Sequence, residues 1–207
     1  MPKKEVPIDH LQQYLPPGTS SPVTAYLHQY KVHLTIARQR KSILGDYRHR
    51  THNYNHRISV NGNLNPFAFL ITLLHELAHL LTFEQHSNKV AAHGREWKII
   101  YGQLLKQFLE HKIFPADIEK ELQQSLKNPA ASSCAEDDLL RVLRKYDIKQ
   151  TSHRLVEELL LNSLFRTNDG RIFQKGEKLR KRFKCVEVKT GKVYLFSPVY
   201  EVVSLES

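Results

Sequence analysis

Asn65-Pro66-Phe67-Ala68-Phe69-Leu70-Ile71-Thr72-Leu73-Leu74-His75-Glu76-Leu77-Ala78-His79-Leu80-Leu81-Thr82-Phe83 decides how this chain folds. Asn65 offers a side-chain oxygen to the first free N–H groups of a helix, and Pro66 suits its first position. From Phe67 to Leu81 the only strongly polar side chains are His75, Glu76 and His79. The stretch therefore predicts a buried helix with one polar seam. At about 15 to 18 apolar-rich residues carrying His-Glu-His, it suits a protein core better than a membrane span. Residues four apart lie above one another on a helix, so His75 and His79 can address one metal ion while Glu76 flanks it. A catalytic zinc site typically has three protein ligands and an open position. There the metal makes water acidic near neutrality, and a neighbouring carboxylate takes its proton.

A third ligand must come from outside the pentapeptide. His86 sits among Glu84, Gln85, Ser87, Asn88 and Lys89, a solvated helix end. His93 is the better candidate, because it follows a loop long enough to reverse the chain and precedes Gly94. A second amphipathic helix then begins at Arg95, with Trp97, Ile100, Tyr101, Leu104, Leu105 and Phe108 spaced to pack on the first. For a donor to the oxyanion of a hydrolytic transition state, Tyr101, Arg95 and His86 are open alternatives.

Three segments together resemble the SprT-like family: His75-Glu76-Leu77-Ala78-His79, His93-Gly94-Arg95-Glu96-Trp97, and Ile58-Ser59-Val60-Asn61 with Leu64-Asn65-Pro66. This family includes bacterial SprT proteins and the eukaryotic protease Spartan, which cleaves proteins crosslinked to DNA. The resemblance covers roughly residues 20–110. It implies a zincin-like metallopeptidase domain of α+β class, with His75, His79 and His93 as zinc ligands, Glu76 as general base and a protein or peptide as substrate. Several relatives carry a zinc ribbon built from paired C-x-x-C motifs. This chain has only Cys134 and Cys185, so a four-cysteine ribbon is impossible, and neither cysteine has suitably spaced histidines to replace it.

With 207 residues, 41% of them hydrophobic, the chain is long enough for one large or two small domains. Two cysteines and no secretory leader point to a reducing, cytoplasmic compartment with free thiols. The net charge of +10 is concentrated. Between Arg171 and Lys192 nine basic residues, including Lys178, Arg180, Lys181, Arg182 and Lys184, face two acidic ones. Phe173, Phe183, Tyr194 and Phe196 interleave with them, a mixture that would hold phosphates and stack on the bases of DNA or RNA. Strand alternation allows the opposite arrangement, in which the aromatics point into a core and the bases are merely solvated.

The expected organisation has four parts. Residues 1–22, with five prolines, form a loose arm with a short helix near Asp9 to Tyr14. Residues 23–127 form the catalytic domain. A helix is expected from Val23 to Lys31, strands at Val32 to Arg38, Ser42 to Tyr47 and His56 to Asn61, and a third helix at Pro115 to Leu126. Arg57 to Val60 is the candidate edge strand for pairing with an extended substrate, an interior strand being the alternative. Residues 128–151 form a linker with a helix at Glu136 to Tyr146, and residues 152–207 a small basic β module. Asn168-Asp169-Gly170 and Thr190-Gly191 mark its hairpins, while Leu155 to Leu161 is ambiguous between helix and strand. Two functions compete: a zinc-dependent endopeptidase acting on DNA-associated or crosslinked proteins, and a non-catalytic nucleic-acid-binding protein whose metal is structural. Glu76 favours the first, because a structural site needs no acid there and is usually closed by a fourth ligand.

Overall fold

The computed structural model describes residues 8–40, 42–126, 129–134, 136–147 and 153–205. The chain divides into two compact units, 1–147 and 148–207. The architecture is mixed, with helices and a small sheet in the first unit and a larger sheet in the second.

In the first unit a 3-10 segment Ile8–Tyr14 leads into α1 (Ser20–Gln29), β1 (His33–Ala37), β2 (Gly45–Arg48) and β3 (Arg57–Asn61). Then come α2 (Pro66–His86), α3 (Arg95–Glu110), α4 (Ala116–Ser125) and α5 (Asp137–Arg144). The start of α2 is held as its sequence predicts: Asn65 Oδ1 accepts from the Ala68 N–H at 2.9 Å, and Pro66 opens the helix. Nearly every residue of α2 from Ala68 to Leu80 is buried. By length and apolarity alone it would cross a membrane, yet it forms the centre of this unit's core. Trp97, Ile100, Tyr101, Leu104, Leu105 and Phe108 of α3 are buried in the same core.

The order of the small sheet is β1-β3-β2, with β1 parallel and β2 antiparallel to β3. This corrects one expectation. Residues Arg57 to Val60 lie in the central strand, whose main-chain groups pair on both sides, so they are not an edge open to a substrate. The edge adjoining α2 is β2, which follows a loop tied down by Arg40. The Arg40 guanidinium donates to Asn61 Oδ1 at 2.7 Å and Ser59 Oγ at 2.9 Å, and Asn61 Nδ2 donates to the Ile43 carbonyl at 3.0 Å.

Two further expectations change. The stretch from Met1 to Pro22 is no loose arm from Leu11 onward: Leu11 and Leu15, one turn apart, are buried, and Tyr14 packs on Phe69 with ring centroids 5.5 Å apart. Pro22 falls in the first turn of α1, where its missing N–H costs nothing. Nor are residues 129–134 and 136–147 a free linker. Leu139 and Leu143 of α5 enter the core, and Asn65 Nδ2 donates to the Leu143 carbonyl at 2.9 Å and to Asp147 Oδ1 at 2.8 Å.

The second unit contains β4 (His153–Leu155), β5 (Leu164–Arg166), β6 (Ile172–Leu179), β7 (Arg182–Glu187), β8 (Val193–Phe196) and β9 (Glu201–Ser204). They form a sheet of order β4-β9-β5-β6-β7-β8, in which all pairings are antiparallel. Gly170 and Gly191 turn two of the hairpins with φ of +88° and +68°, a region glycine enters without strain. The ambiguous stretch is strand as far as Leu155 and a 3-10 turn at Val156–Glu158. A small core of Val156, Leu159, Phe165, Phe173, Cys185, Phe196 and Val202 lies to one side of the sheet. Lys175 is buried with it, and its ammonium donates to the carbonyls of Glu157 and Leu159.

Candidate metal centre

His75 and His79 stand one turn apart on α2, and a 3-10 turn at Ser87–Lys89 returns the chain so that His93 arrives just before α3. The Nε2 atoms of His79 and His93 each lie 3.3 Å from His75 Nε2, and one ring nitrogen from each of the three falls within 4.8 Å of the others. A cation bound tetrahedrally through Zn–N bonds of about 2.0–2.1 Å would separate its ligand nitrogens by about 3.3–3.4 Å. Two of the three separations match this value, and the cluster could hold a metal ion.

The electrostatics agree with that fit. Burial, then the neighbouring His79 and His93, pushes His75 down to about 3, and burial, then His93, pushes His79 to about 4. Burial lowers His93 as well. All three imidazoles are thus neutral at pH 7, the form that offers a lone pair to a metal. Trp97 is the floor of the cluster, its ring centroid 4.7 Å from His75, 5.3 Å from His79 and 4.8 Å from His93. Sequence reasoning assigned Trp97 only to helix packing.

Glu76 is nearly buried. Burial, then the negative charge of Asp46, pushes its carboxyl up to about 8 against the opposing pull of Arg40. Gly45, the first residue of β2, makes room for it: a Cβ there would come within 2.9 Å of Glu76 Cδ and 2.8 Å of Thr72 Cγ2. Edge strand and acid are thus in direct apposition, a relation no local motif announces.

These groups share a cleft of about 600 Å³ lined by His75, Glu76, His79 and His93, by Ile43 to Tyr47, and by Ala131 to Ser133. Tyr47 stacks parallel to His79 at 6.4 Å, and its hydroxyl meets His56 Nδ1 at 2.9 Å. Alternation along the strand was the available signal for Tyr47, but nothing in the sequence placed β2 over the histidines. His86, at the end of α2, is outside the converging set. Among the three oxyanion alternatives, Tyr101 is buried against Trp97, and neither Arg95 nor His86 lines the cleft.

In the second unit, Lys178, Arg180, Lys181, Arg182 and Lys184 are exposed on the β6–β7 hairpin. Of the aromatics, Phe173 and Phe196 are buried in the core, while Phe183, on this same hairpin, and Tyr194 are half-buried against it, with the Lys178 ammonium 5.8 Å from the Phe183 ring centroid. The hairpin thus presents positive charge, with Phe173 and Phe196 withdrawn into the core and Phe183 only partly open.

No curated protein and no solved structure gave a match. Residues 19–120, which carry β2, Glu76 and the three histidines, match the SprT-like family, and over that stretch the chain is SprT-like.

Proposed function

We propose that the first unit is a zinc-dependent endopeptidase with a zincin-like active site, a hydrolase. The observation that carries this reading is the convergence of three neutral imidazoles, at the spacing of a tetrahedral metal, with a carboxylic acid at the base of an open cleft. His75, His79 and His93 would hold the ion, which supplies Lewis-acid activation of water at neutral pH. An extended substrate aligns along β2, the edge strand beside the cleft, with its main chain meeting the strand's unpaired groups. Glu76 accepts the proton of the attacking water and delivers it to the leaving amine. A nearby dication favours the carboxylate form that this first step requires. The open cleft and the acid beside the first histidine count against a purely structural metal, which is usually closed by a fourth ligand.

The exposed hairpin Lys178 to Lys184 supports a further part of the reading, recruitment to DNA or RNA through phosphate contacts, so that proteins on nucleic acid become substrates. The compartment that suits free cysteines and such substrates is the cytoplasm. The test is Glu76→Gln. The variant is expected to retain one metal equivalent and its fold while losing cleavage of casein, with and without DNA. Equal proteolysis by both proteins refutes the assignment.

A further inference from the structure

A second groove runs from His93 along the outer side of α3. Arg95, Lys98 and Lys106 line it together with apolar Ile99, Leu126 and Pro129, and none of the described residues lining it is acidic. Residues 95, 98 or 99, 102 and 106 recur every three to four positions, so they occupy one helical face. Ile99 is 50% exposed on that face although α3 is otherwise well sorted between apolar and polar sides. The space beside Gly102 is open, since a Cβ there would meet nothing within 4 Å. His93 lines both this groove and the metal cleft, so the two adjoin at that side chain.

We propose that this groove is an exosite for an extended, acidic and apolar segment of the polypeptide substrate that lies beyond the cleaved bond. The twelve residues from Arg95 to Lys106 span about 16 Å of helix, the length of about five residues of extended peptide. An apolar floor takes alternate side chains, while the basic residues attract carboxylates between them. Single-stranded nucleic acid fits less well, because no Phe, Tyr or Trp is among the described residues that line the groove to stack a base. A segment held here keeps the adjoining chain close to His93, which raises its effective concentration at the cleft.

The inference rests on the peptidase reading for the identity of the segment, but its test reads binding rather than turnover. In full-length Glu76→Gln protein with metal content verified, a fluorescent peptide of alternating Glu and Leu is titrated at low salt and followed by anisotropy. Arg95→Glu with Lys106→Glu is expected to weaken binding roughly tenfold and to favour a Lys-Leu peptide instead. Gly102→Phe, which blocks the groove without changing charge, is expected to weaken both peptides. Unchanged affinity in both variants overturns the exosite, as does an oligonucleotide, and not the peptide, losing affinity on charge reversal. Failure of wild-type protein to cleave casein sinks the peptidase reading separately, and the anisotropy result still decides the groove.

Discussion

Removing the ionisable group at position 76 should stabilise the metal-free fold at neutral pH and do little in mild acid. The Glu76 carboxyl is raised from an ordinary value of 4.5 to about 8, mainly by burial. A raised carboxyl contributes its stability in full below pH 4.5, and the contribution is lost as pH rises through 8. Each unit of pKa difference corresponds to about 1.4 kcal/mol. At pH 7 the unfolded chain therefore gains roughly 3 kcal/mol over the folded one by ionising Glu76, whereas at pH 5 the gain is under about 1 kcal/mol. His75 and His79 act in the opposite sense, since their lowered values cost stability as pH falls from 6.5, but they do so in wild type and variant alike. Glu76→Gln should then be about 2 kcal/mol more favourable, relative to wild type, at pH 7 than at pH 5. Urea unfolding of chelator-treated proteins at the two pH values measures this difference. A variant effect that is the same at both would refute the account of a carboxyl held neutral by its surroundings.

Other perturbations test neighbouring parts of the argument. Gly45→Ala forces a methyl group against Glu76 and Thr72, so kcat should drop at least tenfold with metal content retained and about 1–3 kcal/mol lost from stability. Asn65→Ala removes the α2 cap and two hydrogen bonds to the end of α5, and should cost about 2–3 kcal/mol in thermal or urea unfolding. His93→Ala should abolish stoichiometric zinc binding by elemental analysis, and chelation should lower the melting temperature of wild type but not of the variant. Reversing Lys178, Arg180, Lys181 and Arg182 to Glu should weaken DNA association and flatten its dependence on salt, as read by filter binding across a salt series.

Short-range rules carried the α2 reading because every determinant lies within one or two turns: an Asn cap, a Pro at the first position, and histidines at i and i+4. His93 was also legible, since a loop and a helix start bracket it. The edge strand was not. Both β2 and β3 alternate, and what makes β3 central is the parallel return of β1 to its far side, a pairing that leaves no local trace. Leu11 and Leu15 were hidden by the prolines around them, although their spacing is that of a packed turn. The basic hairpin could be counted from its residues, but the face taken by Phe173 and Phe196 depends on strand register.

Trp97 is the sole tryptophan of the chain, fully buried and in ring contact with all three candidate metal ligands. The protein therefore contains its own optical probe. Excited at the indole band, it reports from one known place: protonation of an adjacent imidazole or arrival of a cation changes the field across that one chromophore. Emission followed during metal titration gives site occupancy without a label or a substrate.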